Sequence, residues 1–226
     1  MKFLPLLCLA FPLFSAAADI PTTPLAEKGD SLFNDDFERS ILGEWKSIIP
    51  TFTVEGGVLK GVQTRDDHGA VGRVYRPMKD VIIEFKFQLA GSATFNAVFD
   101  DQKHKGSHAG HITRITFTPK LIRLGDDKEG LMRNDIYLMR KDPAQKPASE
   151  KLLVGRGSSS PVVIEQKKWY HVTIENVGDK LRILLDGKPT AFLQSSGLAH
   201  ETKSSFHFTV TGPGVLFDDV RIWNAK

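Results

Sequence analysis

Apolar and polar residues alternate along two neighbouring stretches of the chain. In Val81–Leu89 the odd positions are apolar, while Glu84 and Lys86 are among the polar even positions. Ala93–Asp100 repeats the same pattern. A period of two is typical of a β-strand with one buried and one solvated face. Both stretches are therefore predicted strands, and a third predicted strand, Ile112–Thr118, follows them.

Turn signals separate further alternating segments. Gly56-Gly57 interrupts the apolar pattern of Thr51–Val62, and Asp186-Gly187 lies between two apolar stretches near the carboxyl end. Such dipeptides supply the positive φ angles of two-residue hairpin turns. In Val215–Trp223 the apolar pattern shifts phase at Asp218-Asp219, which predicts a β-bulge.

No stretch has the spacing of a long amphipathic helix. Ile136–Met139 and Pro161–Glu165 are predicted short strands, and Lys141–Glu150 is a predicted polar loop in which a helical turn is the alternative. Roughly a dozen short strands separated by Gly, Asp and Asn turns indicate an all-β fold. The predicted architecture is a two-sheet antiparallel jelly-roll sandwich.

The length and charge of the chain narrow the functional classes. The 226 residues suit one sandwich domain, predicted over 31–226 and preceded by a linker over 19–30. The net charge is +3, from 30 basic and 27 acidic residues, and no run of basic residues is present. This balance argues against a nucleic-acid partner.

The first residues predict export. Lys2 precedes an apolar run over Phe3–Phe14, and small residues end at Ala18. These features are typical of a secretory signal peptide over 1–18, and the apolar run is short for a membrane span. Cys8 is the single cysteine, so the mature chain has no disulfide. We expect a secreted or periplasmic protein with no membrane insertion after cleavage.

A loop rich in titratable side chains joins the second and third strands. It contains Asp100 and Asp101 and three histidines, His104, His108 and His111. Imidazole and carboxylate groups are common metal ligands, and Asp100 with His104 are the predicted ligands of a divalent metal. The histidine spacing matches no standard metal signature, so a solvated polar loop is the competing interpretation. No other cofactor is indicated.

Several segments, taken in order, resemble a known superfold. They are SLFNDDFE, VEGGVLKG, VIIEFKFQLAGSATFNAVF, WYHVTIENVGDKLRILLDGKP and GVLFDDVRIW. Together they are similar to the concanavalin A-like lectin/glucanase superfold, and more narrowly to the 3-keto-disaccharide hydrolase family, which is family 16 glycoside hydrolase-like. The resemblance covers about Ser31 to Trp223. It implies a jelly roll whose concave face binds sugar.

The resemblance also implies action on oxidised glycosides. Ordinary retaining hydrolysis needs two carboxylates about 5 Å apart, but Glu84 stands alone on its strand. Cleavage of a 3-keto sugar does not need this pair of carboxylates, because the ketone acidifies the neighbouring C2 proton and one base suffices to remove it. The predicted catalytic residues are Asp101, His108 and His111, and the predicted stabilisers of the enolate oxygen are Lys103 and Arg114.

Further polar residues are predicted to bind the carbohydrate. Four of them are expected to share the solvated face of one sheet, namely Glu84, Lys86, Asn96 and Arg114. A loop carrying Asp67 and His68 is expected to close on the same sheet, with an acidic turn as the alternative. Two other functions stay open, a non-catalytic carbohydrate-binding module and an adhesion sandwich similar to laminin-G domains.

Overall fold

The computed structural model describes residues 19–49 and 51–226. The signal peptide predicted over 1–18, with Cys8, lies outside these residues and stays a prediction. The described chain is a sandwich of two antiparallel sheets, which confirms the predicted all-β jelly-roll architecture.

Strands are numbered in chain order. The first sheet has eight strands, β1 (Lys28–Asp35), β3 (Phe52–Glu55), β4 (Val58–Gly61), β6 (Val81–Leu89), β11 (Trp169–Val177), β12 (Lys180–Leu185), β13 (Lys188–Gln194) and β15 (Val215–Ala225). The second sheet has seven, β2 (Lys46–Ile49), β5 (Ala70–Met78), β7 (Thr94–Asp100), β8 (His111–Phe117), β9 (Leu121–Asp126), β10 (Gly157–Pro161) and β14 (Lys203–Thr211). Across the second sheet the order is β10-β9-β8-β7-β14-β5-β2, so β8, β7 and β14 are its central strands.

Phenylalanine rings from both sheets fill the space between them. Phe85 on β6, Phe95 on β7 and Phe208 on β14 are fully buried. The Phe208 ring stacks on Phe217 of β15 with a centroid separation of 3.9 Å, which joins the two sheets across the core. The alternation of the strands therefore leaves each sheet with one face in this core and one outer face.

The predicted turns and bulge are confirmed by the backbone. Gly56 and Gly57 have φ angles of +59° and +76°, and Asp186 and Gly187 have +49° and +75°. The pairing of β15 with β6 shifts register between Asp218 and Arg221. This shift is the β-bulge that the phase change of the sequence predicts.

Two short helices stand where the sequence predicted a strand and a loop. Helix α1 spans Asn134–Lys141 and helix α2 spans Lys146–Leu152. The predicted strand Ile136–Met139 is therefore wrong. Leu, Met, Arg and Lys are good helix formers, and the acidic Asp135 in the first turn favours the amino end of the helix dipole.

These helices belong to an insertion between β9 and β10, the helical insert (127–156). A hydrogen bond of 2.7 Å from the His108 amide to the Met132 carbonyl ties it to the loop before β8. A strand at Gly157–Pro161 follows the insert, in place of the predicted strand Pro161–Glu165. Single-turn 3-10 helices lie at His108–Gly110 and Ser196–Ala199. None of the helices in the described part of the chain is long and apolar enough to cross a membrane.

The segment predicted as a linker, 19–30, is attached to the first sheet. Strand β1 begins at Lys28. Before it, the Leu25 amide donates to the carboxylate of Glu175 at 3.1 Å, and Arg182 donates to the Thr22 carbonyl at 3.2 Å. Glu175 and Arg182 are both buried and form an ion pair of 2.8 Å. The segment therefore covers this pair.

Candidate functional site

A cluster of buried polar side chains lies on the outer face of the second sheet. It contains one residue from each of four strands that are adjacent in the sheet. Asp100 ends β7, His111 begins β8, His207 lies within β14 and Arg73 lies on β5. Strand pairing sets this arrangement, because His207 lies opposite Arg73 in one ladder and His111 lies opposite Asp100 in another.

Asp100 is the centre of the cluster. Its carboxylate has no exposed surface and accepts hydrogen bonds from His111 Nδ1 at 2.6 Å and from Arg73 Nη2 at 2.7 Å. His207 Nδ1 lies 3.1 Å from the same carboxylate. Burial by itself would raise the pKa of Asp100, but the hydrogen bonds from His111 and His207 outweigh it and hold this pKa well below its usual range. Asp100 is therefore a permanent anion at physiological pH.

His207 is a neutral member of the cluster. Burial lowers its pKa to about 4, and the charges of Arg73 and His111 oppose its protonation further. The attraction of Asp100 is too weak to compensate. At neutral pH His207 is therefore an uncharged ring, with its Nδ1 3.1 Å from the Asp100 carboxylate and 3.4 Å from Arg73 Nη2.

His111 is the cluster member that can take part in acid–base chemistry. A carboxylate only accepts hydrogen bonds, so the contact with Asp100 places a proton on His111 Nδ1. In the neutral ring the lone pair is then on Nε2. The side chain keeps 15% of its surface exposed, so this nitrogen belongs to a ring that solvent and ligands can reach. An imidazole held in one tautomer by a buried carboxylate is suited to general base catalysis.

A pocket of about 450 Å³ opens beside the cluster. Its lining residues come from β5, from the loop before β8 and from the helical insert, and they are Arg73, Gln102, His104, Lys105, Ser107, His108, Ala109, Gly110 and Asn134. The His108 ring stacks on Tyr137 of α1 at a centroid distance of 4.1 Å and lies 6.3 Å from the His111 ring. Burial, followed by the charge of His111, lowers the pKa of His108. We call this space the histidine pocket.

The structure separates Asp101 from this cluster. Its carboxylate accepts hydrogen bonds from His200 Nε2 at 3.0 Å, from Thr202 Oγ1 at 2.8 Å and from the Lys103 amide at 2.9 Å. Burial would raise the pKa of Asp101, but the His200 bond and the other donors lower it. Asp101 fixes the loop through these three hydrogen bonds. Its predicted catalytic role therefore has no support in the geometry.

The two residues predicted as metal ligands are also in different clusters. His104 packs against His200 with a centroid distance of 5.0 Å, on the Asp101 side of the loop. The potential donor atoms that lie within 4.8 Å of one another belong to Asp100, His111 and His207. Arg73 already contacts the Asp100 carboxylate there, and a fixed cation next to these donors opposes the binding of a second one. The donor set therefore fits a metal poorly.

The residues predicted to share one solvated face lie on opposite sides of the molecule. Glu84 and Lys86 are on the outer face of the first sheet, paired with Lys28 at 2.8 Å and with Asp219 at 2.5 Å. Asn96 and Arg114 are on the outer face of the second sheet. The prediction of one shared face is wrong, because β6 and β7 follow each other in the chain but join different sheets.

The other predicted binding residues do not join the cluster around Asp100 either. Asp67 is exposed and pairs with Arg65 at 2.6 Å, and His68 is exposed beside it. Their loop leads into Ala70, which pairs with Val210 of β14, whereas Asp100 pairs with Ser205 of the same strand. Five residues of extended strand separate the two ends by roughly 17 Å. Lys103 is exposed and does not line the histidine pocket.

A second pocket, of about 300 Å³, lies on the same outer face. We call it the arginine pocket, and it is lined by Arg114, Thr116, Arg123, Leu124, Gly125, Asp127, Leu131, Leu153, Arg156 and Gly157. Arg114 Nε donates to the Asp127 carboxylate at 2.9 Å. Asp127 is fully buried, and burial raises its pKa against the opposing charge of Arg114.

Sequence reasoning missed Arg73 and His207. The alternation of Phe206, Phe208 and Val210 predicts that His207 points away from the core, and this was the available signal. Nothing local connects it to Asp100, because the contact depends on the pairing of β14 with β7.

Comparisons with known proteins identify the fold. Searches against protein-family models and against curated proteins gave no match. The structure is similar to the laminarinase from Rhodothermus marinus, with a TM-score of 0.59 and 12% identity over 89% of this chain and 99% of that one. It is similar to the carbohydrate-binding module CBM66 from Bacillus subtilis, with a TM-score of 0.54 and 14% identity over 80% of this chain and 96% of that one. A GlcNAcα1-4Gal-releasing endo-β-galactosidase from Clostridium perfringens gives a TM-score of 0.59 and 12% identity over 91% of this chain and 65% of that one. At these identities the likeness shows a shared jelly-roll fold.

Proposed function

We propose that the protein is an exported carbohydrate-active enzyme that cleaves 3-keto glycosides, with His111 as the general base. The single observation that carries the proposal is the buried Asp100 carboxylate bound to His111 Nδ1 at 2.6 Å. Two residues that line the histidine pocket adjoin this pair, Arg73 at 2.7 Å from Asp100 and His108 with its ring 6.3 Å from that of His111. The jelly-roll fold that the chain shares with a laminarinase and a carbohydrate-binding module supports a sugar as the ligand. Secretion to the periplasm or the medium is part of the proposal, because residues 1–18 have the sequence pattern of a secretory signal peptide.

The reaction needs one base and one stabilised anion. His111 Nε2 takes the proton from C2 of the 3-keto sugar, and the C–H electron pair becomes the enolate, with its charge on the C3 oxygen. The enolate then forms the C1–C2 double bond and expels the glycosidic oxygen, which takes the proton back from the His111 imidazolium. Addition of water across this double bond completes a hydrolysis.

Arg73 is the residue best placed to stabilise the enolate oxygen. It lines the histidine pocket, and its Nη2 is anchored on Asp100 at 2.7 Å. An anchored guanidinium loses little freedom when charge develops nearby, which is the condition for electrostatic stabilisation. Arg73 takes the role predicted for Lys103 and Arg114, because it contacts Asp100 directly, whereas Lys103 is exposed and Arg114 lines the other pocket.

The test uses the chain Asp19–Lys226 with the 4-nitrophenyl glycoside of 3-keto-glucose and with the unoxidised glucoside. We expect release of nitrophenol from the keto sugar alone, and a loss of about 10²–10⁴-fold in kcat for His111→Ala, as for removal of a general base. His68→Ala, at an exposed histidine far from Asp100, is the matched control. Wild-type turnover by His111→Ala would refute the role of His111, and a loss of activity with a chelator would indicate a metal.

A non-catalytic carbohydrate-binding module is the second candidate function. It is favoured by the absence of any carboxylate side chain among the described residues that line the histidine pocket. Without turnover of either glycoside by the wild-type protein, this function would replace the first, and a glycan array would identify the sugar.

A further inference from the structure

The arginine pocket has no role in the proposed reaction, yet it concentrates positive charge beside the site. Three guanidinium groups line it, and Asp127 is the carboxylate among the lining residues. A second carboxylate, Asp126, lies behind Arg156 and accepts from its Nη1 at 3.4 Å. The positive groups therefore exceed the negative ones even when both carboxylates are counted.

The three arginines keep hydrogen-bonding capacity that the protein does not use. Arg123 is exposed, and its guanidinium makes no hydrogen bond or ion pair with the described residues. Arg114 donates through Nε to Asp127, while its Nη2 is buried and has no partner among the described residues. Arg156 is held through Nη1 alone, by Asp126, Ser195 and Ser196. A buried donor without a partner is costly, so the arrangement favours an incoming acceptor.

The remaining walls suit the ring of a sugar. Leu131 and Leu153 of the helical insert provide apolar surface. Gly125 and Gly157 are paired in adjacent strands and leave the floor without side chains. A Cβ atom at Gly125 would lie 3.7 Å from its nearest neighbours, an ordinary contact, so a side chain would fit there and fill the pocket. The volume of about 300 Å³ is at the small end of ligand sites and suits one ring with its substituent.

We infer that the arginine pocket is a subsite for an anionic sugar unit, whose carboxylate or sulfate ester binds Arg114, Arg123 and Arg156. The guanidinium fork matches the oxygens of such groups. The inference rests on the proposed function for its assumption that the ligand is a glycan, and it does not depend on catalysis.

The position of the pocket relates it to the proposed base. Arg114 and His111 are three residues apart, about 10 Å along β8. The register shift opposite Phe99 and Asp100 brings both side chains to the outer face despite this odd spacing. The anionic unit would therefore be a neighbour of the unit at His111 rather than the same ring. The expected substrate is an oligosaccharide with an acidic sugar next to the cleaved linkage.

The test measures binding and turnover separately on the same purified chain, Asp19–Lys226. Calorimetry compares methyl β-glucoside, methyl β-glucuronide and methyl β-glucoside 6-sulfate. The variants are Arg123→Gln, which removes one free guanidinium, Arg123→Lys, which keeps the charge but not the fork, and Gly125→Val, which fills the floor. Lys120→Gln is the control, because it removes one positive charge at an exposed lysine outside the pocket. Circular dichroism verifies folding of each variant.

We expect the wild type to bind at least one anionic ligand more tightly than the glucoside. This preference should fall about tenfold in Arg123→Gln and in Gly125→Val, fall less in Arg123→Lys, and stay unchanged in Lys120→Gln. The tighter of the two anions identifies the substituent. Equal binding of all three ligands, or a preference that Arg123→Gln and Gly125→Val both leave intact, would overturn the inference.

Turnover of 3-keto glycosides, measured in parallel, separates this inference from the proposed function. A preference for the anion without keto-sugar turnover refutes the enzyme and keeps the subsite. Keto-sugar turnover without a preference for the anion refutes the subsite and keeps the enzyme.

Discussion

His207 should make the stability of the protein depend on pH between about 6.5 and 4. It is fully buried among Asp100 of β7, Arg73 of β5 and His111 of β8, and its pKa in the folded protein is about 4. An unfolded histidine has a pKa of about 6.5. Between these values the unfolded chain binds the proton and the folded chain does not, so acid favours unfolding.

The size of the effect follows from the difference between the two pKa values. Each unit of difference corresponds to about 1.4 kcal/mol, so His207 should remove about 3 kcal/mol of stability as the pH falls from 6.5 to 4. This contribution is fully present above pH 6.5. It is a large part of the roughly 5–15 kcal/mol that stabilises a typical domain.

The variant His207→Asn isolates this contribution. The amide nitrogen of asparagine is bonded to Cγ, as Nδ1 is in histidine. The contact with Asp100 can therefore persist without a titratable group. Urea unfolding followed by tryptophan fluorescence at pH 4, 5, 6 and 7 should show a dependence on pH that is shallower by about 3 kcal/mol in the variant. The exposed His68→Asn should behave as the wild type. Parallel curves for the wild type and His207→Asn would refute the reasoning.

Three further changes test other parts of the fold by urea unfolding. Glu175→Gln leaves the buried Arg182 without its anion and should cost about 3–5 kcal/mol; a loss below about 1 kcal/mol would show that the pair is not needed. Phe208→Ala removes the ring stacked on Phe217 and should cost about 3–5 kcal/mol, and an unchanged midpoint would contradict the described core. Gly187→Ala places a side chain at a φ of +75° and should cost about 1–2 kcal/mol, whereas a stabilised variant would argue against this turn.

The elements that the sequence predicted well are those with local causes. The alternation in Val81–Leu89 follows from one buried face, and β6 has these bounds. The turn at Asp186-Gly187 follows from the φ angles that its two residues adopt. Helix α1 was missed because Ile136, the buried residue of this short helix, does not create a helical period.

The candidate site depends on contacts that no local pattern contains. His111 and Asp100 are 11 positions apart, and the sequence brought them into one loop cluster. Arg73 and His207 are 134 positions apart, and they meet because β5 and β14 pair. The same limit explains the error for Glu84 and Asn96. Alternation predicts which face of a strand is buried, but it does not predict which sheet the strand joins.

The helical insert (127–156) has a consequence for how this protein can change during evolution. It supplies Leu131, Leu153 and Arg156 to the arginine pocket and Asn134 to the histidine pocket. It is attached between β9 and β10, at an edge of the second sheet, whereas Asp100 and His111 lie on central strands. Substitutions at its pocket-lining residues can therefore change what the two pockets accept, while the central strands that carry Asp100 and His111 keep their pairing. If the proposed function holds, selection for a new glycan would act on the insert first, while the residues proposed for the chemistry stay in place.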